Sequence, residues 1–362
     1  MTAYYFYAAA SFAIALILTP LLARWARGRQ IFVPPVRSRD IHTSPVPRIG
    51  GIAIVTAFLL TLAAWNSVLV FWPNSWLALP MGSEFAHNLI GVLLGIFLLT
   101  AVNVVDDLRE VRWQIRLAAQ IVAAILVASF GVQILGFTNP LGGQFGLGSL
   151  GWLFLIVWLV SLANAINWLD GVNGLAGGVS AIALVILFFL SVSPIVARSE
   201  NAMLAAIGFG AVLGFLPFNI VRARAFLGDT GSIFLGFLIA VVAVISGGKI
   251  ATAFLVLAIP LLDALLVVFN RLRNRRSPFS PDKGHLHHRL LELGLRPWQI
   301  VGLFYLISLS FGLFALNTQG ATKAAGVLGA LTIMGFFVVW YAIFRRRAAA
   351  LAANQGTVET NE

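Results

Sequence analysis

The stretch NAINWLDGVNGLAGG, residues 164–178, sets Asn164, Asn167 and Asp170 three residues apart and follows them with Asn173 and with Gly171, Gly174, Gly177 and Gly178. On a helix, that spacing lines Asn164, Asn167 and Asp170 along one flank. The glycines let the chain turn and let another group approach its backbone. A helix end capping itself also uses Asn and Asp, but four such residues with four glycines exceed what one cap needs. Three more polar clusters accompany it: VNVVDDLRE with Asn103, Asp106, Asp107 and Glu110, FLGDTGS with Asp229, and PDKGHLHHRL with His285, His287, His288 and Arg289. FLGDTGS by itself is also the pattern of a turn and N-cap opening a helix. Adjacent helical residues point about 100° apart, so Asp106 and Asp107 cannot both face one ion. One is expected in the site and the other beside a base such as Arg109 or Arg112. Asp and Asn oxygens in a chain without cysteine suit Mg²⁺ or Mn²⁺. The HLHH spacing is not the HxxxH of a zinc helix. With Lys283, Arg289, Arg271, Arg273, Arg275 and Arg276 it reads as a cradle for phosphate. A hard cation beside a phosphate cradle is the apparatus of phosphoryl transfer.

These residues are embedded in an unusually apolar chain. Of its 362 residues, 60% are hydrophobic and 10% charged, against roughly 25% charged in a soluble protein. Eleven apolar segments, near 4–23, 50–72, 88–105, 115–136, 151–168, 174–193, 201–221, 230–247, 251–270, 298–316 and 324–344, approach the ~20 residues needed to cross a bilayer as helix. The expected fold is an all-α polytopic integral membrane protein with about eleven transmembrane helices, formed by one domain over 1–346 and a short disordered tail over 347–362. The first apolar run is long for a leader and lacks a basic region before it, so it reads as a retained span. All but Arg198, Lys249 and Lys323 of the 24 Lys and Arg residues fall in one alternating set of loops. Such an excess marks the cytoplasmic side, placing the N-terminus outside, the C-terminus inside and all four polar clusters on the cytoplasmic face. The net charge of +11 is thus topology and attraction to lipid headgroups, which excludes nucleic-acid binding. The Gly-rich loop 136–151 suits a short external hairpin. A transporter or flippase would place its ionisable groups near the midplane, where only Asp263 lies. Three residues after a kinking Pro260, Asp263 is expected to cap freed backbone, pair with Arg271 or face the site, with a structural or indirect role favoured.

The motifs VNVVDDLREV, NAINWLDGVNGLAGG, FLGDTGS and SPFSPDKGHLHHRLLELG, with RDIHTSPVPRIGG before the second segment, occur in an order that resembles the polyprenyl-phosphate N-acetylhexosamine-1-phosphate transferase family. The likeness runs over about residues 1–345, and the HLHHRL form is more similar to the bacterial UDP-GlcNAc:undecaprenyl-phosphate branch. The resemblance implies an enzyme of the inner membrane that is Mg²⁺-dependent. Undecaprenyl phosphate would attack the β-phosphorus of UDP-GlcNAc to give GlcNAc-diphospho-undecaprenol and UMP, in a cell-surface glycan pathway such as lipopolysaccharide or teichoic acid biosynthesis. Another UDP-sugar, such as phospho-MurNAc-pentapeptide, QuiNAc or FucNAc, is the alternative, and a homodimer is usual in such relatives. Carried onto matching positions, the resemblance puts Asn167 and Asp229 on the metal. Asp170, Gly171 and Asn173 border the nucleotide, with Asn164 beside them, and Phe226 is placed to stack on uracil. His285, His287, His288 and Arg289 grip the diphosphate. Asp106 and Asp107 face the lipid phosphate with Arg39, His42 and Arg48 nearby.

Overall fold

Within hydrocarbon a chain must satisfy its backbone polar groups internally, and long apolar runs do so as helices. A computed structural model describes residues 1–29, 46–138, 143–194, 196–220, 223–245, 250–275, 285–333 and 335–336. The helices are α1 (Thr2–Gly28), α2 (Gly50–Phe71), α3 (Ser83–Leu108), α4 (Trp113–Ser129), α5 (Leu150–Leu169), α6 (Leu175–Val192), α7 (Ser199–Phe215), α8 (Gly228–Ile245), α9 (Ile250–Val256), α10 (Ala258–Arg273), α11 (Leu286–Glu292) and α12 (Pro297–Asn317). A further apolar helix, α13, covers Gly320–Ile333. The loop after α4 carries a hairpin of β1 (Gly136–Thr138) and β2 (Gln144–Gly146), antiparallel with Phe137 opposite Phe145. The fold is therefore an all-α polytopic membrane bundle. Arg39, His42, Arg276, Lys283 and the tail 347–362 lie outside the described residues.

Among the described residues, eight helices are long and apolar enough to cross a membrane, and the bent pair α9–α10 makes a ninth. Eleven is reached only by adding α4 and α13, which are shorter. At 1.5 Å per residue, the 17 residues of α4 rise only about 26 Å. The α9–α10 pair is bent by 80° at Leu257. Pro260 lies in the first turn of α10, where it cannot donate to the carbonyl of Val256, so the helix breaks just before it.

The middle of the bundle belongs to α8. Its apolar window is 89% buried, against 28% for α1 and α12. α8 packs against α5, α3, α2 and α6, while α1 and α6 clasp α7. The C-terminal ends of α3 and α5 meet the N-terminal end of α8, because residues from all three bond one another there. Short apolar side chains allow that closeness. A Cβ on Gly236 of α8 would fall 2.5 Å from the carbonyl oxygen of Leu162 in α5.

Gly236→Leu is expected to wedge α5 from α8 and cost about 1–3 kcal/mol or more, the usual penalty of overpacking. Gly302→Ala in α12, where nothing lies within 4 Å, is the control. Thermal unfolding in detergent should show a clear loss for the first and little for the second; equal melting of both would mean the α5–α8 seam is looser than described.

Candidate active site

Asp229 sits in the first turn of the most buried helix, where backbone N–H groups lack intrahelical acceptors. Asp107, one residue from the end of α3, supplies the acceptors. Its Oδ1 accepts the N–H of Asp229 at 2.8 Å and its Oδ2 accepts that of Thr230 at 3.0 Å. A carboxylate at a helix N-terminus is also favoured by the helix dipole. The chain enters this turn through Gly228 at φ +72°, and a Cβ there would lie 2.7 Å from Asp107 Oδ1. Both reasons require glycine at this position. Asp107 thereby holds Asp229 in place.

The side chain of Asp229 is shared by two neighbours. Asn167, near the end of α5, donates its Nδ2 to Asp229 Oδ1 at 2.9 Å and to Ser232 Oγ at 3.0 Å. Arg116 of α4 places one guanidinium nitrogen 2.7 Å from Asp229 Oδ2 and 2.8 Å from Asp106 Oδ2. Asp106 is completed by the Val111 N–H, 2.7 Å from its Oδ1. The adjacent carboxylates thus diverge. Asp106 takes a basic partner, but that partner is Arg116 rather than Arg109 or Arg112, and it is itself part of the site.

Beyond α5 the chain turns through 170–174. Asn219, 2% exposed, accepts the Gly174 N–H at 2.7 Å and donates to the Ala225 carbonyl at 3.1 Å. Tyr305 of α12 donates its hydroxyl to the Gly174 carbonyl at 2.6 Å. These two pins fix Asp170, Gly171 and Asn173 at the mouth of the site. Burial raises Asp170 well above the usual carboxylate range, and the charges of Asp229 and Asp107 push the same way against Arg48 and the Gly228 N–H. Arg48 is brought there by a backbone ladder. Phe226 N–H donates to the Pro47 carbonyl, while Gly50 and Gly51 N–H donate to the Phe226 and Leu227 carbonyls at 2.8–2.9 Å.

The histidines approach from α11. A Cβ on Gly171 would land 2.2 Å from His287 Nε2, so the group that exploits this glycine's bare backbone is an imidazole. His287 is 1% exposed, and neither of its ring nitrogens has a hydrogen-bond partner. Burial, helped by the neighbouring His288, lowers its pKa to about 3, so it is neutral at physiological pH. His288 packs on His287 at 4.4 Å between ring centroids, and Arg289 follows in the same short helix. His285 instead pairs with Asp263, its Nδ1 lying 3.0 Å from Oδ2.

Asn164 faces away from the turn. It donates to Gln120 Oε1 on α4 and to the Val160 carbonyl. It lines a cleft together with Asn103, Trp113, Arg116, Leu117, Gln120, Asn167, Trp168, Asp229 and Ile233. Asp229 and Arg116 are its charged groups, and Trp113, Leu117, Trp168 and Ile233 its apolar ones.

The donor set can be tested against a hard cation. Among the described residues no three acidic or imidazole groups converge to form a metal shell from protein alone. Asp229 and the amide of Asn167 nevertheless touch, beside Asp106 and Asp170. Mg²⁺ takes few protein ligands, keeps waters and fills its shell with substrate phosphate oxygens. The carboxylates Asp106, Asp107, Asp170 and Asp229 face the guanidiniums Arg48 and Arg116, which leaves an excess of negative charge that a divalent cation would offset. The residues fit such an ion. Arg116, Ser232, Asn219 and Tyr305 carried no distinctive sequence signal. Arg116 was one base in a loop whose charge already served topology.

Residues 89–247, which include the carboxylates and Asn167, match the family model for glycosyl transferase family 4. The chain is 33% identical to a decaprenyl-phosphate N-acetylglucosaminephosphotransferase of Mycobacterium leprae, over 86% of this chain and 83% of that protein. It is 30% identical to a probable undecaprenyl-phosphate N-acetylglucosaminyl 1-phosphate transferase of Bacillus subtilis, over 85% and 82% of the two chains. Against the undecaprenyl-phosphate alpha-N-acetylglucosaminyl 1-phosphate transferase of Escherichia coli K12 the identity is 29%, over 85% and 82%.

The raised pKa of Asp170 has a sign that can be measured. Its folded form binds a proton more readily than its unfolded form, so this carboxyl opposes folding most above its folded pKa; the penalty shrinks as pH falls below that value and vanishes only below the unfolded pKa of about 3.9. Without divalent metal, Asp170→Asn should melt higher than the parent at pH 8, by roughly 2–5 °C. The gap should close on acidification. A variant that melts lower at pH 8 would show that Asp170 is stabilised as an anion.

Proposed function

The chain belongs to glycosyl transferase family 4, and from that membership and the geometry of the α3–α5–α8 junction we propose that it transfers N-acetylglucosamine 1-phosphate from UDP-N-acetylglucosamine to undecaprenyl phosphate. An oxygen of the lipid phosphate attacks the β-phosphorus of the donor, the bond from that phosphorus to the bridging oxygen breaks, and UMP leaves with that oxygen. The products are N-acetylglucosaminyl-diphospho-undecaprenol and UMP. The contact between Asn167 and Asp229, made by helices that end and begin at the same level, is the observation that carries this reading.

Each residue has a task that follows from its place. Asp229 and Asn167 would hold Mg²⁺, with Mn²⁺ as the alternative; when bound, the ion draws charge from the diphosphate and so eases departure of UMP. Asp107 keeps the first turn of α8 from rotating, so Asp229 stays aimed. Arg116, between Asp106 and Asp229, presents a cation to the cleft, where it can meet the acceptor phosphate. That phosphate needs little deprotonation, because its second pKa is about 6. Asp106 therefore serves to orient Arg116 rather than to remove a proton. Direct in-line transfer needs no covalent enzyme intermediate.

The nucleotide half is assigned to Asp170, Gly171, Asn173 and Phe226, with Phe226 stacking on uracil. Arg48 is tied to this rim by the Pro47–Phe226 ladder, and Arg39 and His42, which lie outside the described residues, are assigned to the acceptor phosphate. The diphosphate is assigned to His287, His288 and Arg289. A buried imidazole with two unmet nitrogens costs about 1–3 kcal/mol per group left unsatisfied, and His287 N–H donation to a phosphate oxygen would recover part of it. The cleft between α4 and α5 supplies the acceptor's route. Trp113, 38% exposed, stands at its rim, where amphipathic rings favour the membrane interface. The basic loops at this end support a site on the cytoplasmic side of a bacterial inner membrane, with UDP-N-acetylglucosamine arriving from the cytosol.

Purified protein supplied with UDP-N-acetylglucosamine and undecaprenyl phosphate should release UMP only when Mg²⁺ or Mn²⁺ is present. Asp229→Asn should reduce the rate at least ~10²-fold, the scale of losing one electrostatic element of a transition-state site, with its melting temperature retained. Movement of lipid or sugar across vesicles without UMP formation would replace this reading with a transporter.

A further inference from the structure

Asp263 lies within α10, is 3% exposed and has both carboxylate oxygens engaged. Its Oδ2 lies 3.0 Å from His285 Nδ1, and its Oδ1 accepts the Leu286 N–H at 2.6 Å. One carboxylate therefore holds both the ring of the residue that precedes α11 and the first backbone N–H of that helix. α11 has seven residues and no side-chain cap from His285. A helix so short has little stability of its own, so its position depends on what grips it.

A path of contacts leads from this grip to the proposed donor site. The His285 ring stacks on His287 at 5.7 Å with 10° between planes, and His287 rests against Gly171. His285 also packs on Trp168 of α5 at 6.0 Å, and the Arg271 guanidinium lies 5.6 Å from the centre of the same indole. Trp168 is next in sequence to Asn167. A displacement of His285 would thus be felt at once by the imidazole against the Gly171 turn and by the end of α5. The Asp263 carboxylate is only an acceptor when ionised, which requires the His285 proton on Nδ1 and leaves Nε2 as the free nitrogen of that ring.

We infer that Asp263 is a positioning residue for the donor site, acting through His285 to seat α11 and its histidines against the Gly171 turn and to fix which nitrogen of His285 carries the proton. The inference rests on the transferase reading above. It assigns an intramembrane carboxylate, a costly placement that ordinarily marks function, to the cytoplasmic site rather than to transport. Arg271, the partner the sequence offered, lies over Trp168.

Asp263→Asn separates shape from proton placement. Its amide oxygen can still accept from Leu286, but its NH₂ would meet His285 Nδ1 and drive the ring proton to Nε2. In the full-length protein, ¹⁵N-histidine spectra should show the Nδ1–H tautomer for His285 in the parent and the Nε2–H tautomer in Asp263→Asn. The KM for UDP-N-acetylglucosamine should rise about tenfold or more, with the KM for undecaprenyl phosphate unchanged. In a His285→Ala background, Asp263→Asn should add little further loss. A parent that turns over normally while Asp263→Asn leaves donor KM and tautomer unchanged overturns the inference and leaves the transferase reading intact. Additive losses in the double variant do the same, because they would mean Asp263 does not act through His285. A parent that releases no UMP defeats the reading itself, whereas the tautomer comparison still decides the Asp263–His285 link. If Asp263→Asn fails to fold, His285→Asn with Asp263 intact should reproduce the selective rise in donor KM; equal KM values for parent and His285→Asn would overturn the inference.

Discussion

The carboxylate of Asp107, bound through both oxygens to the backbone of Asp229 and Thr230, joins two transmembrane helices at the point where the polar chemistry begins. A helix that starts inside a bundle exposes N–H groups that neither lipid nor apolar side chains can satisfy. α3 ends at the same level and answers that need with an anion. The arrangement solves a structural problem and, in doing so, sets the angle of Asp229. The Asn167, Arg116 and Asp106 contacts all depend on that angle. Loss of the cap would free the first turn of α8 and scatter the cluster.

Charge balance favours a cation at the cluster. Carboxylates brought together in a half-buried site repel one another and resist ionisation. Arg116 and Arg48 relieve part of this, and Asp170 absorbs part by holding its proton more tightly. A divalent cation with a diphosphate would complete the balance from both sides, adding positive charge among the carboxylates and negative charge beside the histidines and Arg289. His287 shows the complementary deficit, being polar, buried and unpaired. Carboxylates outnumber the cations beside them, and His287 lacks a hydrogen-bond partner; a metal diphosphate would answer both needs.

The membrane fold was legible because apolar runs and the one-sided distribution of Lys and Arg are sequence-local signals. The hairpin at 136–146 was legible too, from its glycines and lack of charge. The span count was less so, since α4 is short and Pro260 breaks one segment into two helices at 80°. Within the site, the three-residue spacing put Asn164 and Asn167 on α5, but Asp170 falls just past its end and Asn164 turns toward Gln120. Periodicity reports which flank a residue occupies and says nothing of where the helix stops or which neighbour is nearer. The partners from distant segments left no trace in sequence. Arg116 looked like one more topological charge, Asn219 and Tyr305 like ordinary bundle residues, and Asp263 gave three candidate roles without naming His285, 22 residues on.

The position of the site relative to the bilayer decides what kind of protein this bundle can be. A transporter needs its polar groups where both sides can reach them in turn, near the midplane and on elements able to rearrange. Here the acidic groups occupy helix ends that are cross-braced: α3 to α8 by Asp107, α5 to α8 by Asn167, and α3 to α8 again through Arg116 of α4. Each brace is a hydrogen bond or ion pair between different helices, so opening the site toward the opposite side would break several together. The carboxylate that does lie within a span, Asp263, is turned toward α11 and not toward a path across the membrane. A rigid, one-sided site suits chemistry between a headgroup fixed at the membrane surface and a nucleotide dissolved beside it. The lipid tail can stay among the helices while its phosphate alone enters the cleft, and no polar group has to cross hydrocarbon at any stage.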